Sequence, residues 1–130
     1  MLYVHHLAVR VSDLAQAEAF YTQVLGLFVI RRWADECGKP RSVWLGLGDG
    51  AFLAVELSPT PTPRDSDGVG WHCVALAIPR AERESWRARL VGAGCKVVRE
   101  SSYTLYTEDP DGNSIGLSHY PELCAAAVPS

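Results

Sequence analysis

The stretch His5-His6-Leu7-Ala8-Val9-Arg10-Val11-Ser12-Asp13 decides the fold, because it predicts a strand that runs directly into a helix. Side chains alternate along a strand, so one face of this strand carries an imidazole, a small residue and a guanidinium, from His6, Ala8 and Arg10. The other face is aliphatic and is expected to pack against the helix. The polar face suits the wall of a cavity better than it suits a hydrophobic core.

A weaker copy of this pattern occurs later as Cys73-Val74-Ala75-Leu76-Ala77-Ile78, again followed by an amphipathic stretch. Two strand–helix starts in one short chain indicate an internal duplication. His6 lies five residues before Val11, and Cys73 lies five residues before Ile78. The two positions are therefore predicted to correspond.

Length and composition predict one globular domain with no nucleic-acid or membrane partner. The chain has 130 residues, of which 48% are hydrophobic, as is usual for a soluble domain. Twelve basic and fifteen acidic side chains give a formal charge of -3, which offers no electrostatic attraction to nucleic acid or anionic lipid. No apolar run reaches the length of a membrane span and the first residues lack a signal-peptide pattern, so a cytoplasmic location is expected.

The four cysteines are expected to be free thiols. They are scattered without CxxC spacing, which argues against a structural zinc site, and a reducing compartment argues against disulfides. Their positions are Cys37, Cys73, Cys95 and Cys124.

Hydrophobic periodicity and turn residues predict the order β-α-β-β-β twice. The first half has strands at Tyr3–Val11, Phe28–Ala34, Arg41–Gly46 and Ala51–Leu57, with a helix from the Asp13 cap to Gly26. The second half has strands at Trp71–Ile78, Lys96–Arg99, Tyr103–Glu108 and Ser114–His119, with a helix that Pro79 can open and Gly92 and Gly94 end. The fold class is therefore α+β.

We predict a single domain over residues 1–121, followed by a tail at 122–130. Its first module covers about 1–57 and its second about 71–121. The segment 58–70 between them is rich in proline and glycine and reads as a linker. Two βαβββ modules of this kind would form a curled mixed sheet around a cleft.

Four segments together resemble the vicinal oxygen chelate superfamily, which includes glyoxalases, bleomycin resistance proteins and extradiol dioxygenases. They are His6–Leu14, Ala19-Phe20-Tyr21, Val24-Leu25-Gly26-Leu27 and Glu108-Asp109-Pro110-Asp111-Gly112-Asn113. The resemblance runs from about Leu2 to Tyr120. It implies the glyoxalase/bleomycin resistance/dioxygenase fold, with the active site in the cleft between modules, and the exposed sheet edges of such modules lead us to expect a homodimer.

The resemblance also implies a four-position metal site, which falls here on His6, Glu56, Cys73 and Gly116. His6 and Glu56 are sound ligands for a divalent ion, and a direct or water-mediated contact between them is expected. Cys73 would have to lose its proton before it could bind, and Gly116 has no side chain to offer. We therefore expect either no cofactor or a weakly held divalent metal ion on His6 and Glu56.

The remaining histidines are predicted to lie outside this site. Alternation places His5 on the helix side or at the rim and His72 on the face opposite Cys73, unless a β-bulge rotates it. His119 is out of phase with Gly116 and is expected to be structural.

The ligand-binding residues are predicted to be Arg10, Trp44, Phe52, Trp71 and Cys73. The resemblance implies that Arg10 contacts an anionic group of the ligand. Small residues beside large aromatic ones leave room for a flat apolar molecule held by stacking, although core packing is the alternative for each aromatic residue. Trp33, taken as loop-borne, is expected to be either a lid or a dimer contact.

The sequence therefore predicts a glyoxalase-like and bleomycin-resistance-like protein that binds a small organic molecule without a full metal site. The alternative is a metal-dependent lyase, isomerase or dioxygenase with an altered ligand set, in which Glu56 is catalytic. A purely structural module is disfavoured, because polar side chains such as His6, Arg10 and Glu56 would be costly in a cleft that binds nothing. Whether the protein is an enzyme stays open from the sequence.

Overall fold

The computed structural model describes residues 1–124, which divide into two compact units. Unit 1 is Met1–Arg64 and unit 2 begins at Asp65. Each unit contains one four-stranded mixed sheet and one α-helix. No helix in the described part of the chain is both long enough and apolar enough to cross a membrane.

Unit 1 contains the first predicted strand–helix start and a three-stranded meander. Its elements are β1 (His6–Val11), α1 (Leu14–Ala19), a π-helical turn (Phe20–Val24), β2 (Phe28–Ala34), β3 (Pro40–Gly46) and β4 (Phe52–Leu57). The strand order is β1-β4-β3-β2, in which β1 and β4 are parallel and the other pairs are antiparallel.

Helix α1 begins where the sequence predicts, and the π-helical turn that continues it to Val24 brings the helical segment to its predicted end before Gly26. The Asp13 carboxylate accepts a hydrogen bond from the Gln16 backbone N–H (3.0 Å), and Gly26 adopts a φ of 77° after the last helical turn. The helix packs on β3 and β4 and covers one face of the sheet. The buried apolar residues of this half are Val11, Ala17, Phe20, Tyr21, Leu25, Val43, Leu45, Leu53, Ala54 and Val55.

Unit 2 repeats the same order of elements. They are β5 (Cys73–Ala77), α2 (Arg83–Gly92) preceded by a 3-10 turn (Arg80–Glu82), β6 (Arg99–Glu100), β7 (Thr104–Glu108) and β8 (Ser114–Ser118). The strand order is β5-β8-β7-β6, with β5 and β8 parallel. The predicted α+β class and its repeated βαβββ order are therefore confirmed.

The second unit's first strand is shorter than predicted and begins at Cys73 instead of Trp71. Its parallel partner β8 begins at Ser114, which pairs with Cys73. Before Ser114 the chain is held in a turn, because the Asp109 carboxylate accepts the backbone N–H groups of Asp111 and Asn113. Trp71 therefore lies outside β5, and it is 94% exposed.

A buried arginine ties α2 to the end of the second sheet. The Arg83 guanidinium lies 2.9 Å from His119 Nε2 and donates to the Ser101 carbonyl (2.8 Å) and to Glu100 (3.2 Å). Because a guanidinium only donates, Nε2 must accept, and Nδ1 then donates to the Glu122 carbonyl (2.6 Å). His119 is thus held by structural partners, as the sequence indicates.

Candidate functional site

The sheet face of unit 1 that does not carry the α1 core presents three rows of side chains across its four strands. We call this surface the aromatic face. Strand register defines the first row as His6, Phe52, Gly46 and Phe28, the middle row as Ala8, Ala54, Trp44 and Arg31, and the last row as Arg10, Glu56, Ser42 and Trp33.

Rings from all four strands contact one another on the aromatic face. His6 and Phe52 are stacked with centroids 4.8 Å apart, and Phe52 and Trp44 with centroids 4.4 Å apart. Trp33 is tilted against Trp44 at 5.2 Å. These separations match the spacing of neighbouring strands, so the rings overlap instead of lying flat on the sheet. Their hydrogen-bearing edges, which carry positive partial charge, therefore point away from the sheet.

Gly46 makes room for a further ring of the aromatic face, that of Phe28 on β2. A Cβ at Gly46 would collide with the ring of Phe28, which lies directly over the glycine. Phe28 is nevertheless 65% exposed, so its ring is supported on one side only. An exposed aromatic ring beside half-buried ones extends the apolar surface to the edge strand.

Arg31, on the outer strand β2, packs on the last ring of this series. Its guanidinium carbon lies 3.7 Å from the centroid of the Trp33 ring, a cation–π contact. Trp33 Nε1 is buried and has no hydrogen-bond partner within residues 1–124. An indole N–H removed from water without an acceptor carries a free-energy cost of about 1–3 kcal/mol.

Two oppositely charged side chains of the aromatic face lie in its last row. Arg10 on β1 is the register partner of Glu56 on β4, and Glu56 also pairs with Ser42 on β3. His6 precedes Arg10 by four residues, which is about 13 Å along a strand. The register therefore contradicts the direct contact between His6 and Glu56 expected from the sequence, and the metal role of each stays a prediction.

His5 bears on another expectation. Its ring contacts the rings of His6 (5.1 Å) and Phe52 (5.6 Å), and the two imidazole Nδ1 atoms are 2.9 Å apart. Of the two predicted placements, the contacts exclude the helix side and agree with the rim, where His5 is exposed. Alternation holds only within a regular strand, and β1 begins one residue later, at His6.

Unit 2 has a corresponding face with smaller side chains. Its rows are Cys73, Ser114 and Glu108, then Ala75, Gly116, Tyr106 and Arg99, then Ala77, Ser118 and Thr104. Cys73 is half-buried beside Ser114, and all four cysteines of the chain are free, as expected. The Arg99 guanidinium carbon lies 4.0 Å from the Tyr106 ring centroid.

One of the four family metal positions, Gly116, offers no side-chain donor. A Cβ on Gly116 would lie 3.1 Å from Thr104 Cγ2 and 3.3 Å from Tyr106 Cε1, so neighbouring side chains already fill the space where a ligand would start. No three His, Cys, Asp or Glu side chains of the described chain are grouped so that they could hold one ion. These donors therefore give no basis for a metal-dependent reaction step.

Among the predicted ligand-binding residues, Trp44 and Phe52 contact each other, and Arg10 lies on the same face. Cys73 and Trp71 belong to unit 2. The sequence reasoning missed Phe28, Arg31, Trp33 and His5. Trp33 lies within strand β2 (Phe28–Ala34) and is not the loop residue that was expected, and a register shift between Val29 and Arg31 breaks the alternation, so that Arg31 and Trp33 share the face of Phe28.

Two mixed sheets built from repeated βαβββ units are the architecture that the resemblance implies, and comparison with known families agrees. The Glyoxalase/Bleomycin resistance protein/Dioxygenase superfamily matches this chain over residues 3–117. The protein belongs to that superfamily.

Individual relatives support the same assignment. The lactoylglutathione lyase of Salmonella typhimurium is 32% identical over 121 residues, which cover 86% of this chain and 88% of that protein. The crystal structure of SMU.1112c superposes with a TM-score of 0.78 at 25% identity, over 92% of this chain and 99% of that one. The fosfomycin resistance protein FosX from Listeria monocytogenes, complexed with Mn(II) and sulfate, has a TM-score of 0.72 at 16% identity, covering 92% and 93% of the two chains, which shows a shared fold alone.

Proposed function

We propose that this protein binds a flat, apolar organic molecule on the aromatic face of unit 1, without a divalent metal ion. The observation that carries this proposal is the continuous contact of rings from His6 through Phe52 and Trp44 to Trp33. These rings lie on the sheet face opposite the α1 core, and they are only partly buried.

The rings favour a particular mode of contact. Because they already stack on one another, their faces are largely used within the protein and their edges remain for a ligand. An aromatic ligand would meet these edges with its own ring face, in an edge-to-face arrangement worth about 0.5–1.5 kcal/mol for each pair. Ala8, which is exposed beside His6 and Phe52, leaves room for such a ring.

Polar groups beside the rings would orient the ligand. Arg10 and Glu56 offer a donor and an acceptor one row away from Ala8 and Ala54. A few polar groups at the border of an apolar site are the usual source of specificity in small-molecule binding. The predicted ligand contact of Arg10 is part of this proposal, whereas the ligand contacts predicted for Cys73 and Trp71 in unit 2 stay predictions.

The metal-dependent alternative is not favoured by the donors present. The relative named lactoylglutathione lyase makes a lyase reaction conceivable, but the four family metal positions include Gly116, which lacks a donor. Glu56 as a catalytic group would then act as a simple carboxylate beside Arg10. A Glu56→Gln variant that keeps ligand binding but loses turnover of a bound compound would support that catalytic role.

The binding proposal is tested with a neutral planar probe, 2-naphthamide, by isothermal titration calorimetry. Trp44→Leu is expected to weaken binding about tenfold, because it removes the central ring of the aromatic face. Trp86→Leu is the matched control, since Trp86 is also half-buried and lies on α2 of unit 2, outside the aromatic face. Equal binding by the wild type and Trp44→Leu would contradict the proposal.

A further inference from the structure

The middle row of the aromatic face recurs in unit 2 with the same chemistry. In unit 1 the row reads Ala8, Ala54, Trp44 and Arg31, and in unit 2 it reads Ala75, Gly116, Tyr106 and Arg99. In each row the two parallel strands carry small residues. The next strand in the sheet, β3 or β7, carries an aromatic residue, and the outer strand, β2 or β6, carries an arginine. The first and last rows of the two units share no such pattern.

The arginines of these rows are held differently from four of the other eight arginines of the chain, while Arg89 resembles them in lying over an aromatic ring. Arg32, Arg80, Arg83 and Arg87 each form an ion pair with a glutamate. Arg31 and Arg99 lie over aromatic rings instead, and neither has a carboxylate partner within residues 1–124. A guanidinium has five N–H donors, and ring contact satisfies none of them, so these donors remain for an external acceptor.

The charge of the aromatic face favours an anion as that acceptor. Its charged side chains at pH 7 are those of Arg10 and Arg31 against the single carboxylate of Glu56. Glu56 lies two strands away from Arg31, on β4, and pairs with Arg10. The outward ring edges add positive partial charge around the same surface. Trp33 Nε1 is buried without an acceptor within residues 1–124 and belongs to the indole over which the Arg31 guanidinium lies, so it offers a second donor next to Arg31.

From these observations we propose that Arg31, with Trp33 and Trp44, forms a subsite for the acidic group of a planar aromatic anion such as an aryl carboxylate. This rests on the proposed function, because the ring of that ligand occupies the aromatic face. The carboxylate accepts hydrogen bonds from the Arg31 guanidinium, and the aromatic ring contacts Trp44. Arg31 then selects acids over neutral compounds of the same shape.

The test compares two probes of matched shape, 2-naphthoate and 2-naphthamide, by isothermal titration calorimetry. The wild type is expected to bind naphthoate about tenfold more tightly, which corresponds to about 1.4 kcal/mol. Arg31→Gln is expected to remove this preference by weakening naphthoate binding about tenfold, with little change for naphthamide. Arg41→Gln is the control, because Arg41 is an exposed arginine of the neighbouring strand β3 and its loss makes the same change in net charge.

The possible outcomes separate the two proposals. If both probes bind the wild type equally, or if Arg41→Gln weakens naphthoate as much as Arg31→Gln does, the subsite is wrong while binding on the aromatic face stands. If neither probe binds, the proposed function fails and the subsite fails with it. Trp33→Phe provides an independent check: it keeps an aromatic ring under Arg31 but removes the indole N–H, and a further loss specific to naphthoate supports the second donor.

Discussion

Arg10 and Glu56 are register partners on the parallel strands β1 and β4, whereas His6, four residues earlier, pairs with Phe52. The carboxylate of Glu56 therefore has a guanidinium as its strand neighbour, and the imidazole of His6 has a phenyl ring. This difference in register moves the two predicted metal donors of unit 1 apart and places His6 among the aromatic rings.

Divalent metal is expected to have no effect on thermal stability. An ion that bound only the folded protein at one hundred times its Kd would contribute about 2.7 kcal/mol. We expect that neither a chelator nor millimolar Mn²⁺, Ni²⁺ or Zn²⁺ shifts Tm in differential scanning calorimetry. An increase of several degrees with one of these ions, abolished by Glu56→Gln, would show that the donors assemble after all.

The buried arginine of unit 2 is expected to matter far more than an exposed one. Arg83→Met removes the guanidinium that satisfies His119 and Ser101, and the side chain of Arg83 is only 6% exposed. We expect the free energy of unfolding to fall by about 2–4 kcal/mol. Arg80→Met breaks an exposed pair with Glu122 and should cost at most about 1 kcal/mol. Urea denaturation measures the free energy of unfolding of both variants. Similar losses in the two would contradict the larger role of Arg83.

Glu100 is expected to make stability depend on pH in the acid range. Hydrogen bonds from Arg87, and to a lesser extent from Arg83, lower the pKa of Glu100 from 4.5 to about 2. A carboxylate whose pKa is lower in the folded state stabilises the protein above about pH 4.5, and this contribution is lost as pH falls towards 2. Because the side chain is 46% exposed, the effect is at most about 1 kcal/mol.

The corresponding variant is Glu100→Gln, compared with the wild type by thermal unfolding at several pH values. Its Tm should be lower than that of the wild type at pH 7, and the two values should converge between pH 4.5 and 2. Glu36→Gln, at an exposed turn position, serves as the control and should differ little at any pH. A difference between Glu100→Gln and wild type that persists unchanged to pH 2 would rule out this linkage.

Alternation and turn residues were enough to predict the repeated βαβββ order, because each strand has one apolar face and each helix has a recognisable end. The same reasoning failed where alternation is broken. A register shift in β2 between Val29 and Arg31 brings Arg31 and Trp33 to the face of Phe28, and His5, which precedes β1, joins His6 there. Strand register also cannot be read from one strand alone, which is why the neighbour of Glu56 was predicted incorrectly.

The homodimer stays a prediction that solution measurements can decide. Strands β1 and β2 are the outer strands of the first sheet, and β5 and β6 of the second, within the described chain. Outer strands leave backbone groups unpaired, and exposed apolar residues precede β1 and β5, among them Tyr3 and Trp71. Light scattering at micromolar concentration should give about twice the chain mass of 14.2 kDa. A stable monomer at that concentration would contradict the predicted homodimer.

The most direct test of ligand binding on the aromatic face is the indole N–H region of a nitrogen-15 NMR spectrum during titration with 2-naphthamide. Each of the four tryptophans gives one signal, which can be assigned by single Trp→Phe variants. We predict that the signals of Trp33 and Trp44 shift progressively to saturation while that of Trp86 stays in place. An unchanged Trp44 signal at saturating probe, or a Trp86 shift as large as that of Trp44, would contradict it.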